Sequence, residues 1–294
     1  MKSVLLSNAK INVGLNVTKK REDGYHELEM IMLPIDLYDK MEVEVFETEE
    51  NNIEITTNKD YIPVDYRNIL NKTYKLFYDN TNFKRRKIKV YLEKNIPVEA
   101  GLGGGSSNAA FFFKFLNTYY KNFYSEKELI DLGKKIGADV PFFIKNKSSF
   151  VTGIGENIKE IKNNLENKLL LIKPNFGLST KDVYENLKNV KEKKYADMNK
   201  LINGLETNDI SLVKENIENN LNQSAILLKK EVKDFENSIN DFIKKEENLN
   251  LKFFMTGSGS VYYSFLDKKC DEEYILKLFQ KKYEGLFVSI NEFL

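Results

Sequence analysis

Over residues 5–17 the odd positions read Leu5, Ser7, Ala9, Ile11, Val13, Leu15 and Val17, and the even ones Asn8, Lys10, Asn12, Gly14 and Asn16. A period of two places these sets on opposite sides of an extended strand, one face apolar and one polar. Lys10 shares the polar face with Asn8 and Asn12. A turn at Arg21-Glu22-Asp23-Gly24 leads into an apolar stretch over 28–37. Residues 41–46 and 53–57 predict two strands joined as a hairpin around Asn51-Asn52. The spacing then predicts a helix over 68–78 and an alternating strand over 88–92.

Farther along, Ala109, Phe112, Phe113, Leu116, Tyr119 and Phe123 recur at helical spacing and predict a helix over 108–123. A second helix over 126–135 stops at Gly137. Residues 168–172 read as a strand, and Ser179-Thr180 caps a helix starting near Lys181. Amphipathic helices are expected between 196 and 245, and two strands over 253–266 about a Gly257-Ser258-Gly259 turn. A helix over 271–283 and a strand over 286–290 end the chain. A shift in composition near 150–170 predicts two domains, 1–160 and 161–294.

Between the strand at 88–92 and the helix at 108–123 lies Pro97-Val98-Glu99-Ala100-Gly101-Leu102-Gly103-Gly104-Gly105-Ser106-Ser107. Glycines leave backbone amides unshielded and admit positive φ, so successive N–H groups form an anion cradle beside a helix N-terminus. The Ser106 and Ser107 hydroxyls can donate to phosphate oxygens or ligate a magnesium ion. The segment is not a P-loop, because no Lys follows the last glycine. It also departs from the dinucleotide fingerprint, since Ser106 stands at the final glycine position. The reading is phosphate binding without a named enzyme.

Composition narrows the classes. The 294 residues are 41% hydrophobic and 30% charged, with Lys plus Arg 45 against Asp plus Glu 44. A net charge of +1 gives no nucleic-acid footprint. The lone Cys270 makes no intramolecular disulfide, and with one histidine, His26, a structural zinc site is disfavoured. No stretch reaches the ~20 apolar residues of a membrane span, and the run at 1–6 is too short for a signal peptide. A cytoplasmic location is expected.

The glycine-rich segment resembles the nucleotide-binding loop of the GHMP kinases, and Met255-Thr256-Gly257-Ser258-Gly259-Ser260 resembles their third motif. Ala9-Lys10-Ile11-Asn12, Arg21-Glu22-Asp23-Gly24-Tyr25-His26-Glu27-Leu28 and Gly137-Ala138-Asp139-Val140-Pro141-Phe142-Phe143 narrow the resemblance to the diphosphocytidyl-methylerythritol kinases. Two departures stand out. Thr256 and Ser260-Val261 occupy positions usually held by Ser and Ala-Thr, and Phe111, Phe112 and Phe113 sit where small residues are usual.

The resemblance implies a two-domain α+β fold, with an N-terminal domain like that of ribosomal protein S5 and a ferredoxin-like C-terminal domain. It implies ATP and Mg2+ as cofactors, a small-molecule cytidine diphosphate derivative as substrate, and phosphorylation of its 2-hydroxyl within the non-mevalonate isoprenoid route. Asp139 is implied as acceptor of the hydroxyl proton and Lys10 as its charged partner, with the loop from Pro97 to Ser107 on the nucleotide. His26 with Tyr25 is implied in cytosine recognition, and Asn12, Gly257, Ser258 and Gly259 in contacts with substrate or phosphates. The magnesium ligands are unknown from sequence; Ser107 and Glu99 are the candidates. No nucleic-acid or membrane partner is expected, and the chain is expected as a monomer or weak homodimer. Another GHMP kinase, acting on mevalonate or homoserine, and a catalytically inactive nucleotide sensor are the competing readings.

Overall fold

A computed structural model describes residues 1–246 and 249–294. The chain forms two compact units, each assembled from separate stretches. Unit 1 holds Met1–Ala9, Leu37–Ile96 and Gly103–Lys147; unit 2 holds Lys10–Asp36, Pro97–Leu102 and Ser148–Leu294.

Two long strands, β1 (Lys2–Lys20) and β2 (His26–Phe46), contribute residues to both units. In unit 1 they are joined by β3 (Ile53–Thr57), α1 (Ile69–Asp79), β4 (Lys87–Glu93), α2 (Gly104–Tyr119), α3 (Glu126–Gly133) and α4 (Val140–Lys145). The expected hairpin of 41–46 with 53–57 does not form. β4 lies between them, antiparallel to β2 with Met41 opposite Leu92, and parallel to β3 with Ile55 opposite Val90. The parallel pairing is reached through α1, the crossover that such strands require. Ile88, Val90 and Leu92 are all buried, which explains why β4 takes the inner position.

The start of α1 follows from Asn68, whose side chain accepts from the Leu70 N–H. α3 begins with a capping box, Ser125 and Glu128 each satisfying the other's backbone N–H. The bulky Phe112 and Phe113 are fully buried on α2, where Phe113 meets Phe77 of α1 edge-on at 5.9 Å. Phe77 also meets Tyr124 edge-on at 5.6 Å. An aromatic cluster therefore fills the space that small residues would leave.

Unit 2 continues through β5 (Ser149–Gly153), β6 (Asn157–Glu160), β7 (Leu169–Lys173), α5 (Thr180–Asn186), a 3-10 turn (Leu187–Asn189), α6 (Met198–Thr207), α7 (Ile210–Asn216), α8 (Asn220–Leu228), α9 (Lys230–Lys245), β8 (Phe254–Met255), β9 (Tyr262–Phe265), α10 (Glu272–Lys282) and β10 (Phe287–Asn291). The β5–β6 pair carries no sequence expectation. Four strands form an antiparallel sheet in the order β10-β7-β9-β8. Leu169, Leu170, Leu171 and Ile172 of β7 are all buried, so both faces of that sheet are covered. On one of them Leu170 and Ile172 pack with Ile239 of α9 and with Ile275 and Phe279 of α10. Among the described residues no helix is long and apolar enough to cross a membrane.

Candidate functional site

In unit 2 the polar face of β1 is not solvated. Lys10 is 4% exposed and Asn12 3%, and Lys10 Nζ donates to Asn12 Oδ1 at 2.5 Å, so the shared face read from the alternation is buried and internally bonded. The backbone around them is fixed from three directions. Lys10 N donates to Leu102 O at 3.0 Å, Asn12 N donates to Thr256 Oγ1 at 2.9 Å, and the Tyr263 hydroxyl donates to Asn12 O at 3.0 Å.

The same unit weaves the first part of the glycine-rich segment into the C-terminal glycine motif. Ser260 N donates to Glu99 O at 3.1 Å and Val261 N to Ala100 O at 3.2 Å. Gly101, at φ +74°, sits so close that a Cβ there would lie 2.1 Å from Thr256 O. A Cβ on Gly257 would lie 3.2 Å from both Asn12 Oδ1 and Gly101 O. Lys10, Asn12, residues 97–102 and residues 257–259 are thus one neighbourhood of unit 2.

The motif is held from behind, in part by Asn219, which sequence reading did not single out. Asn219 Nδ2 donates to Met255 O at 2.8 Å and to Gly257 O at 2.9 Å, while Thr180 and Ser258 share a hydroxyl hydrogen bond of 2.8 Å. Ser260 Oγ donates to Phe176 O at 2.6 Å. Lys173 donates to the carbonyls of Pro174 and Phe176 at 3.1 and 3.2 Å, and burial lowers its pKa against the opposing pull of Glu99. The Glu99 carboxylate packs on Gly177, where a Cβ would lie 2.1 Å from Oε2.

His26 and Tyr25 stand at the start of β2. Tyr25 is 61% exposed, and the half-buried imidazole of His26 faces the ring of Tyr184 at 5.3 Å between centroids. Burial lowers the His26 pKa from 6.5, and the charges of Lys20 and Lys193 lower it further. Tyr184, on α5, is a second aromatic at this place; only a rule for which helix face approaches β2 would have revealed it from sequence.

In unit 1 the remaining glycines open α2. Gly103 takes φ +71° at the N-cap, and Ser107 N donates to Gly103 O at 2.9 Å. The expected helix over 108–123 starts earlier, at Gly104, and ends at Tyr119. Its first turn is open on one side, because a Cβ on Gly105 would have nothing within 4 Å. Ser107 Oγ is buried and has no hydrogen-bond partner among the described residues. A buried hydroxyl without a protein partner is completed by a bound water or a ligand atom. A Cβ on Gly137 would lie 3.5 Å from Ser106 Oγ, so the Gly137 turn stands beside this helix start. From that turn the chain passes to Asp139, the half-buried N-cap of α4, whose carbonyl accepts from Phe143 N at 3.3 Å.

An open helix start with amide groups free of intrahelical partners can receive an anion such as a phosphate. Among the described residues no group of three or more His, Cys, Asp or Glu could hold a metal ion alone.

Residues 68–147 match the family described as GHMP kinases N terminal domain. A 4-diphosphocytidyl-2-C-methyl-D-erythritol kinase of Fusobacterium nucleatum is 48% identical over 263 residues, covering 89% of this chain and 87% of the relative. One of Clostridium tetani is 37% identical over 283 residues, covering 96% and 97%. The crystal structure of a 4-(cytidine 5'-diphospho)-2C-methyl-D-erythritol kinase matches with a TM-score of 0.76 at 24% identity, over 98% of this chain and 99% of that one. A homoserine kinase from Cytophaga hutchinsonii matches with a TM-score of 0.71 at 15% identity, over 99% and 95%. Both structural likenesses give an α+β kinase fold.

Proposed function

We infer the reaction from a single premise: the chain belongs to the 4-diphosphocytidyl-2-C-methyl-D-erythritol kinases, within the GHMP kinases. It is an ATP-dependent kinase of the non-mevalonate isoprenoid pathway. In this reading it moves the γ-phosphoryl group of ATP to the 2-hydroxyl of 4-diphosphocytidyl-2-C-methyl-D-erythritol, giving ADP and the 2-phosphate. The observation that carries phosphate binding is the first turn of α2, open at Gly105 and holding the unpartnered Ser107 hydroxyl.

Phosphoryl transfer needs positioning and charge stabilisation more than covalent help. Residues 97–107 are the proposed nucleotide-binding segment, with glycine amides on the phosphates. Asp139 accepts the proton of the attacking hydroxyl, and Lys10 stabilises charge on the transferring oxygens. His26, kept neutral at pH 7 by its lowered pKa, offers one donor and one acceptor to the cytosine edge. Tyr25 and Tyr184 supply aromatic faces beside it. Asn12, Gly257, Ser258 and Gly259 approach substrate or phosphate oxygens.

A magnesium ion would find one oxygen ligand in the Ser107 hydroxyl, a buried oxygen without a partner among the described residues. When bound it neutralises phosphate charge, and few protein ligands suit a cation shared with a nucleotide. The division into a nucleotide-binding domain over 1–160 and a second domain over 161–294, a cytoplasmic location, a monomeric or weakly dimeric state and the lack of a nucleic-acid partner complete the proposal; a net charge of +1 supports the last.

The test is ADP release from Mg-ATP with the cytidyl substrate, beside mevalonate and homoserine. Turnover is expected with the cytidyl compound alone. Asp139→Asn is expected to lower kcat by about 10²–10⁴-fold, the range for a lost general base, with nucleotide affinity unchanged. Turnover of another acceptor would replace the substrate, and a near-normal variant would remove Asp139 from its role.

A further inference from the structure

Unit 1 buries a charge pair that the reaction above does not use. Asp39 of β2 is 0% exposed and Lys94, just past β4, is 5% exposed; Lys94 Nζ is bonded to Asp39 Oδ2. Asp39 Oδ1 accepts from Asn95 N and Ile96 N, both at 2.8 Å. Its Oδ2 also accepts from Asn108 Nδ2 at 2.9 Å, and Asn108 Oδ1 accepts from Lys94 Nζ at 3.2 Å. Asn108 Nδ2 reaches Ser7 Oγ of β1 as well, at 2.8 Å. Among the described residues the carboxylate's donors thus come from two places, the chain just before the glycine-rich segment and the first turns of α2 just after it.

The ammonium does more than neutralise Asp39. A Cβ on Gly104, the first residue of α2, would lie 3.1 Å from Lys94 Nζ and 2.9 Å from Ile96 Cγ2. The first turn of α2 therefore rests directly on the lysine head and on Ile96. A positive charge beneath a helix N-terminus opposes the helix dipole, so nothing in helix formation itself asks for it. Replacing a buried ion pair by apolar residues is often neutral or stabilising, so stability is a weak reason for its presence. What the pair does supply is fixed direction: Ile96, Gly104 and Asn108 are tied to one point.

We propose that Asp39 and Lys94 are positioning residues that clamp the two flanks of the glycine-rich segment and so set the phosphate-binding turn of α2. The ammonium packs beneath that turn at Gly104, while the carboxylate holds Asn95 and Ile96 on one flank and Asn108 on the other. This rests on the nucleotide reading of the α2 turn. Gly104 is part of the device, since any side chain there would displace the lysine.

The test is the double variant Asp39→Asn with Lys94→Met, which keeps an acceptor for Asn95 N and Ile96 N and removes both charges. Mg-ADP affinity by titration calorimetry, the KM for each substrate and Tm are compared with wild type, well below the unfolding temperature. The expected result is folded protein whose Mg-ADP Kd and ATP KM rise about tenfold or more, with the cytidyl-substrate KM within about twofold, since only the amides of the α2 turn lose their fixed position on the phosphates. A folded double variant with wild-type Mg-ADP affinity overturns the clamp. If the double variant does not fold, Asn108→Ser decides alone: it spares the ion pair but removes the side-chain hydrogen bonds that tie α2 to it, and unchanged Mg-ADP affinity overturns the proposal. Wild type that fails to bind Mg-ADP would instead remove the nucleotide reading and leave the pair as a structural tie.

Discussion

The two glycine-rich places in this protein use the same residue for opposite ends. In unit 2, Gly101 and the Thr256–Ser260 segment are packed against each other: Gly101 faces Thr256 O, and a Cβ on Gly259 would lie 2.7 Å from Met255 Sδ and 2.8 Å from Leu178 Cδ1. Polar atoms there have protein partners, Ser258 with Thr180 and Ser260 with Phe176. In unit 1, Gly105 faces open space and Ser107 Oγ has no partner among the described residues. Glycine in the first place permits close backbone approach; in the second it keeps amides uncovered. The first place packs protein on protein; the second leaves room that the proposed nucleotide phosphates would fill.

The comparison breaks most directly at Gly101. Gly101→Ala places a methyl group against a backbone carbonyl at a positive φ, where neither backbone can yield cheaply. Combining the left-handed penalty with overpacking gives a loss of about 2–5 kcal/mol. Urea denaturation reads it, and a variant as stable as wild type would show that this approach is not tight.

Gly105→Ala is expected to do the reverse. The methyl meets nothing within 4 Å and sits in a helix, so stability is unchanged or raised by up to about 1 kcal/mol. Mg-ADP affinity nevertheless falls, because the methyl occupies the space over the amides. Equal affinity in this variant would erase the distinction between the two places.

The difference also explains what could be read in advance. Alternation along β1 is local, so it marked Lys10 and Asn12 as sharing a face; that the face is buried depends on Thr256 and Leu102, far away in sequence. The helix cap at Ser179 is a short-range signal and was legible, as was the antiparallel pair of β8 and β9 around Gly257-Ser258-Gly259. The Asn51-Asn52 hairpin was misread because a local turn signal says nothing about β4, which arrives after α1 to take the place between the strands. Asn219 and the Asp39–Lys94 pair were invisible for the same reason. Asn219 reads as one more polar residue in a helix-rich stretch, and its value lies in two carbonyls more than 35 residues away. Buried polar residues that hold a site from behind have no spacing of their own to betray them.

The smallest expected effect extends the contrast within unit 2, from the packed glycine motif to His26. Its imidazole is half-buried beside Tyr184, with Lys20 and Lys193 near enough to disfavour its protonation. The folded pKa lies below the ordinary 6.5, so folding favours the neutral ring. Its contribution to stability is therefore complete above pH 6.5 and declines as pH falls through the lowered folded pKa. A neutral ring is also the form that presents both a donor and an acceptor, so the cytidyl-substrate KM should rise over the same acid limb. His26→Gln keeps a donor and an acceptor but does not titrate. Between pH 7.5 and 5 its Tm and KM profiles should be flatter than those of wild type, with a higher KM at neutral pH. Parallel profiles for the two proteins would mean that another group governs the acid limb and that His26 does not meet the cytosine edge.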